Sequence, residues 1–381
     1  MAVNPALFRW ARERAGLAQE DLSRKFKKLG EWEAGKVHPT LKQVEMFARA
    51  VHVPAGYMFL SKPPQEQLPI PDFRTVAGET PVRPSPNLID TIYACQERQN
   101  WYREFARVSQ QSELGFVGSA TLRTRPDTVA SRMRKTLDFD VNAQKECATW
   151  TDALRHFTKR ADKAGMLVMV SGVAMGNNRH HLDVSEFRGF ALADPFAPLV
   201  FVNGADAKAA QMFTLAHELA HIWLGVSALS NMETEVGHIG RREEIWCNKV
   251  AAEFLVPSNS LDAELMRDES LPDKIPRLAR TFKVSTLVVL RRLLDAEYID
   301  YSVFKKHWDE ELERFQASKR DSSKEWDFYK TAISRVGARF VRALVVNTLE
   351  GKTLYRDAFR MLGISNVEKF KKLGREAGMV L

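Results

Sequence analysis

The sequence has little cysteine, and its three cysteines lie far apart. Cys95, Cys147 and Cys247 leave one thiol over after any pairing and show no C-x-x-C spacing. This pattern argues against a disulfide framework and against a zinc site built from thiolates. We therefore expect a protein of the reducing cytoplasm.

Long apolar runs are also missing. No segment approaches the roughly 20 consecutive apolar residues of a membrane span. The N-terminal stretch reaches Trp10 and several arginines without the apolar centre of a signal peptide. Secretion and membrane insertion are therefore not expected, and neither is a membrane partner.

Glycine and proline are too few for a disordered chain. The 381 residues include 20 Gly and 16 Pro, against 45% hydrophobic and 10% aromatic residues. Such a chain has enough apolar surface to fold, and its length leaves room for two or three domains. The net charge of +8 is uneven, with +4 over residues 1–60, +6 over 301–381 and about −2 between them.

Prolines mark the first boundary along the chain. Seven of the sixteen lie between residues 61 and 86, which is typical of a linker or an extended arm. We expect four regions, namely a helical module over 1–60, the Pro-rich arm over 61–87, a domain of strands and helices over 88–257 and a helical C-terminal region over 258–381.

The middle of the chain combines strands and helices. Helical patterns cover 88–116 and 126–136, and short apolar β-rich runs cover 167–170, 187–192 and 199–202. A long helix should follow, with its N-cap within 203–206 and its end at Gly225. The next helix should run from about Arg242 to Leu255, where Pro257 ends it.

The long helix carries an H-E-x-x-H motif at His217, Glu218 and His221. Positions i and i+4 share one helix face, so both imidazoles can reach a single Zn²⁺, and Glu218 lies beside the open coordination position. Glu218 would then act as the general base on a water activated by the metal. Two polar residues on a helix surface are the alternative interpretation.

A catalytic zinc needs a third protein ligand. Positions 224 and 227 hold Leu and Ser, which excludes the extended metzincin motif. Glu244 on the next helix is well placed, because Asn248 lies one turn later and could support a ligand. The competing candidates are Glu243 and, in the intervening loop, Glu233, Glu235 and His238.

The two helical segments together resemble the ImmA/IrrE family of cytosolic metallo-endopeptidases. The resemblance rests on residues 201–225 and on the segment EEIWCNKVAAEFLVP over 243–257. It implies that Glu244 is the third ligand, Asn248 its neighbour one turn on, and that Cys247 stands where the family often has Ala. The segment PIPDFRT over 69–75 is similar to an arm found in one branch of the family.

This resemblance implies the fold class. We expect a mostly helical α+β protein with a zincin-like, gluzincin-type core, a small and mostly antiparallel sheet, and helix-turn-helix-like modules on either side. Two later segments, 278–299 and 356–378, have the cadence of helix-turn-helix units. For 278–299 we expect a role in packing within the protein rather than DNA contact. For 356–378 a basic helix face exposed to solvent is the simpler interpretation.

Residues 6–60 resemble an Xre/Cro-type helix-turn-helix domain. About four residues are missing between Leu22 and Trp32, where the turn and the start of the recognition helix would lie. Lys25, Lys27 and Lys28 could still contact DNA phosphates. A helical interaction module is the alternative.

We therefore expect a zinc endopeptidase that cleaves a repressor or an antitoxin-like partner. The resemblance implies phage, mobile-element, stress or toxin–antitoxin settings. The alternative function is a DNA-binding regulator or antitoxin-like binding protein whose zinc fold is a non-cleaving scaffold. The sequence leaves the cleaved bond and the oligomeric state open.

Overall fold

The computed structural model describes residues 3–51, 53–64, 68–72, 84–230, 242–266, 268–317 and 328–380. The chain divides into two compact units. The first comprises Met1–Pro69 and Arg83–Asp90, and the second comprises Ile70–Val82 and Thr91–Leu381. Within the described ranges, no helix has the length and apolarity needed to cross a bilayer.

Four helices build most of the first unit. They are α1 (Pro5–Arg14), α2 (Gln19–Ser23), α3 (Leu29–Glu33) and α4 (Leu41–Ala50). Thr40 begins α4 with a capping box, because its hydroxyl accepts from the Gln43 backbone while its own backbone N–H donates to the Gln43 side chain. The five-residue lengths of α2 and α3 agree with the shortened connection seen in the sequence.

Aromatic side chains fill the core of this unit. The ring of Phe8 lies 5.6 Å from that of Trp32 and 5.1 Å from that of Phe47. A partly buried bidentate ion pair joins α1 to α3, with 2.7 Å between Nε of Arg12 and Oε1 of Glu33. The short helices are therefore held by packing and by one directional contact rather than by length.

Four helices precede the sheet. They are α5 (Pro86–Val108), α6 (Pro126–Leu137), α7 (Val141–Glu146) and α8 (Trp150–Lys163). The predicted end of the first helix at residue 116 was wrong. The chain leaves the helix after Val108 because Gln110 adopts a left-handed conformation with φ 54°. The predicted helix over 126–136 is confirmed, and left-handed Asp138 follows it.

The sheet has four strands, one more than predicted. They are β1 (Leu167–Ser171), β2 (Gly189–Leu192), β3 (Leu199–Asn203) and β4 (Ala228–Ser230). Their order is β1-β3-β2-β4, with β1 parallel to β3 and the other two pairings antiparallel. The sheet is therefore small and mixed.

Two helices pack beside the sheet and carry the H-E-x-x-H motif and the Glu-rich segment. They are α9 (Lys208–Leu224) and α10 (Arg242–Leu255). Gly225 ends α9 in the left-handed conformation, with φ 71°, as predicted. The predicted N-cap within 203–206 was one residue early, since Ala207 occupies that position and no side chain caps the helix.

The described residues after α10 are helical. The helices are α11 (Ser258–Glu264), α12 (Leu271–Phe282), α13 (Thr286–Asp295), α14 (Tyr301–Ala317), α15 (Phe328–Val336), α16 (Ala338–Leu349), α17 (Tyr355–Leu362) and α18 (Val367–Glu376). The region around α15 covers the outer edge of β1, where Ser334 donates to the carbonyl of Val170. The mostly helical α+β class is as predicted.

Candidate metal centre

The H-E-x-x-H motif lies inside the protein rather than on its surface. His217, Glu218 and His221 on α9 are all fully buried, and Glu244 and Asn248 on α10 are 5% and 8% exposed. Burying this many polar groups is unfavourable unless they are paired or bind an ion. The alternative of two surface histidines is therefore excluded.

Three of these side chains converge on one point. The Nε2 atoms of His217 and His221 lie 3.1 Å apart, and the carboxylate oxygens of Glu244 lie 3.2 Å from the first and 3.0 Å from the second. Two ligands that bind one tetrahedral zinc at 2.0–2.1 Å are separated by about 3.3 Å. The donor set therefore fits a small divalent cation.

The other proposed third ligands fall elsewhere. Glu243 lies outside this group, although it neighbours Glu244 in the sequence. Glu233, Glu235 and His238 lie outside the described residues. Of the described candidates, Glu244 is the one that the structure brings to the two histidines.

The two histidines and Glu244 influence one another's pKa values. Burial disfavours the protonated imidazole of His217, but the charge and hydrogen bond of Glu244 outweigh it, so the pKa of His217 is raised. Burial alone would raise the pKa of Glu244, and the two histidines instead hold it well below its usual range. For His221 burial dominates and its pKa is lowered. The carboxylate is therefore ionised and ready to bind a cation.

Glu218 has a different environment from Glu244. Both of its carboxylate oxygens are buried, and among the described residues neither has a hydrogen-bond partner of normal geometry. Burial raises the pKa of Glu218 to about 8, and the charge of Glu244 adds to the rise while that of His217 opposes it. A cation bound nearby would lower this pKa again. A buried carboxylate that lacks hydrogen-bond partners and lies next to a cation site is suited to proton transfer.

Two further contacts orient the histidines. Nδ1 of His217 lies 2.9 Å from the side-chain oxygen of Asn248, which leaves Nε2 directed at the other donors. The hydroxyl of Ser230, at the end of β4, lies 3.4 Å from Nε2 of His221. Asn248 thus lies where the sequence placed it.

Sequence reasoning missed two residues at this site. Ser230 gave no signal, because a three-residue strand has no readable pattern. Gly189 in β2 did carry one, since a glycine inside a strand often marks a close approach. A Cβ atom there would lie 3.0 Å from Oε1 of Glu218.

The neighbouring cysteine is not among the described side chains that converge on this point. Cys247 is fully buried, and burial raises the pKa of its thiol well above the usual value, with the charges of Glu244 and Glu218 adding to the effect. All three cysteines of the chain are free thiols.

The candidate DNA contacts belong to the first unit. Lys25, Lys27 and Lys28 are all exposed in the turn between α2 and α3. Lys25 also lies 5.6 Å from the centre of the Phe26 ring. Their role in binding stays a prediction.

Comparison with known proteins locates the family. Residues 161–294, from the end of α8 to α13, match the model of a peptidase family described as the IrrE N-terminal-like domain. Residues 336–376 match a domain of unknown function, DUF8813. No curated protein matches the chain.

The matched span contains the four strands and both helices of the metal centre. The resemblance inferred from the two helical segments is therefore confirmed, while the helix-turn-helix resemblance of residues 6–60 is outside the match. Residues 161–294 are thus similar to the metallopeptidase domain of the ImmA/IrrE type.

Proposed function

We propose that this protein is a cytoplasmic zinc-dependent endopeptidase that cleaves a regulatory protein. The observation that carries the proposal is the convergence of His217, His221 and Glu244 beside the buried carboxylate of Glu218. Free thiols throughout the chain suit a reducing compartment.

The chain's own residues account for the proton transfers. Zinc would supply a Lewis acid that makes water more acidic and polarises the peptide carbonyl. Glu218 would accept a proton from the attacking water and deliver it to the amine that leaves. Its burial favours the first of these transfers, because it raises the pKa of Glu218 and so favours the protonated carboxyl group over the carboxylate.

The ligand residues would keep the reacting groups in place. Asn248 accepts a hydrogen bond from Nδ1 of His217 when that nitrogen is protonated, which leaves the Nε2 lone pair for the cation. Glu244 would provide the negative charge that balances part of the charge of a bound metal ion. Both act before substrate arrives, so the site needs little rearrangement.

The substrate we propose is a repressor or an antitoxin-like partner. The family resemblance and the predicted helix-turn-helix module support this choice, because both link the peptidase to regulators of transcription. Phage, mobile-element, stress and toxin–antitoxin systems are the settings in which such cleavage would switch genes.

Cleavage of a purified repressor encoded next to this protein tests the proposal. Wild-type protein with zinc should cut it, and Glu218→Gln, which keeps the side-chain size but removes the base, should cut at least about a hundredfold more slowly. Equal cleavage by the two proteins, or a cut that survives chelation, would refute it.

A second candidate is a DNA-binding regulator in which the zinc fold is a scaffold. The exposure of Lys25, Lys27 and Lys28 in one turn supports it. Neutralising all three should weaken DNA binding and reduce its salt dependence. If the wild-type protein fails to shift DNA at low salt, this candidate is wrong.

A further inference from the structure

A large groove lies away from the metal-binding side chains, within the second unit. Its walls come from α8, β1, the start of α9, α15, α16 and the chain after α18, and its volume is about 1410 Å³. Pockets for drug-sized ligands usually span roughly 300–1,000 Å³. None of the metal-centre residues lines it.

The rim of this groove is strongly basic. Of the described residues, eight lysines and arginines line it against two acidic residues, Asp162 and Glu376. Asp152 and Asp138, which lie outside the lining, pair with two of the arginines. The groove is therefore an attractive place for an anion.

Two of the lysines form a matched pair. Lys159 and Lys163 lie one helical turn apart on α8, and both are exposed. Neither makes an ion pair with any described residue, whereas Arg342 pairs with Asp162 across the groove. The two ammonium groups are thus available to neighbouring phosphates of one ligand.

The floor of the groove is apolar. Leu154 of α8, Val168 and Val170 of β1 and Ile333 of α15 contribute to it. An inorganic anion would make no use of such a floor. A ligand that has both a flat apolar part and several negative charges would use floor and rim together.

Two polar atoms in the lining lack partners. Nε2 of His156 and Nε of Arg160 are buried and have no hydrogen-bond partner among the described residues. Buried polar groups are usually satisfied, but both atoms are shielded from solvent, so a bound molecule would reach them only after the side chains turn toward the groove. The His156 ring and the guanidinium planes nearby can also lie against an aromatic base.

We propose that this groove binds a nucleotide, with the base on the apolar floor and the phosphates between Lys159 and Lys163. The carboxylates of an acidic peptide would match the positive charge of the rim, but they would not supply a flat apolar group for the floor. The groove is large enough for more than one nucleotide unit. The ligand is either a free nucleotide or a stretch of single-stranded nucleic acid, because both carry the same bases and phosphates.

The position suggests why such a site exists. The groove lies between the peptidase domain and residues 336–376, to which no function is attached. Ligand sites are frequent at boundaries of this kind. The proposal gives the C-terminal helices a binding role that is independent of the metal centre.

Direct binding to the full-length protein tests the proposal. ATP and NAD⁺ are titrated by calorimetry, and a labelled oligothymidylate is titrated by fluorescence anisotropy at low salt. Lys159→Glu/Lys163→Glu should weaken the bound probe at least about tenfold, because two phosphate contacts become repulsive. The control Arg280→Glu/Lys306→Glu makes the same change of charge outside the groove and should bind as the wild type does.

The outcomes distinguish a free nucleotide from nucleic acid and identify the results that would overturn the proposal. Binding of ATP or NAD⁺ that depends on the groove indicates a free nucleotide, and binding of the oligothymidylate alone indicates nucleic acid. The proposal is overturned if no probe binds, if both double variants lose binding equally, or if polyglutamate binds as tightly. It is also overturned if only the N-terminal Lys25, Lys27 and Lys28 variant loses binding.

Discussion

A Cβ atom on residue 189 would lie 3.0 Å from Oε1 of Glu218, so the glycine of β2 is what lets this carboxylate reach its position. The same added atom would lie 2.6 Å from Cγ2 of Thr214 and 2.9 Å from the backbone oxygen of Phe201. The backbone of β2 and the helix α9 therefore approach more closely than any other residue would allow.

Replacing this glycine should damage both stability and the site. Gly189→Ala should lower the free energy of unfolding by about 1–3 kcal/mol, since the Phe201 oxygen belongs to the backbone and cannot move aside easily. Peptidase activity should fall as Glu218 is displaced. Urea unfolding and cleavage rates measure the two effects.

Gly115→Ala is the matched control, because a Cβ atom there meets nothing within 4 Å. It should leave stability and activity close to those of the wild type. If Gly189→Ala behaves in the same way, the close approach has no energetic importance.

Loss of the Asn248 amide should weaken the metal site without removing a ligand. Asn248→Ala should lower zinc affinity about 10–100-fold, because His217 loses the contact that fixes its ring. Competition with a fluorescent chelator measures the affinity. Lys249→Ala, exposed on the same helix, should leave it unchanged. Equal affinities for all three proteins would contradict the role of Asn248.

The three thiols should react very differently. Burial raises the pKa of Cys95 to about 11, opposed by Arg98, and burial also raises that of Cys247 well above its usual value. Cys147 is half-buried, and burial raises its pKa too. A maleimide should therefore label Cys147 slowly in the folded protein, faster as the pH rises, and the other two only after unfolding. Mass spectrometry of the labelled peptides checks this, and rapid labelling of Cys95 would contradict it.

His156 should make stability depend on pH. Burial and then the charges of Arg160 and Lys159 lower its pKa in the folded protein. The unfolded chain, with a pKa of about 6.5, therefore binds a proton that the folded protein does not. This contribution is present in full above about pH 6.5 and is lost as the pH falls through the folded pKa.

Unfolding free energies at about pH 7.5 and 5.5 measure this effect. His156→Gln should reduce the difference between the two values, whereas His38→Gln, which changes an exposed imidazole, should not. An unchanged difference in His156→Gln would show that other groups cause the acid sensitivity.

The elements around the metal were the most predictable part of the fold. The bounds of α10 and the end of α9 were readable because Pro257 and Gly225 stop the helices by local chemistry. By contrast β4 was missed, since three residues form a strand only through pairing with β2. The end of α5 was misplaced because a left-handed Gln110 is not a recognisable signal.

The same division applies to the site. His217 and His221 were fixed by spacing on one helix, and Glu244 was separated from Glu243 by the family resemblance rather than by the residues alone. The structure distinguishes Glu244 from Glu243 by helix face, because Glu244 shares with Asn248 the face of α10 that meets α9. The basic groove could not be predicted, since long-range packing brings Lys159 and Lys330, which are far apart in the sequence, to the same groove.

Zinc content of purified protein tests the central claim most directly. One zinc ion per chain is expected in the wild type, in Glu218→Gln and in Glu243→Ala, and it should be lost in Glu244→Ala while the circular dichroism spectrum is retained. Full zinc content in Glu244→Ala, or equal loss in the Glu243 and Glu244 variants, would contradict the metal centre described here.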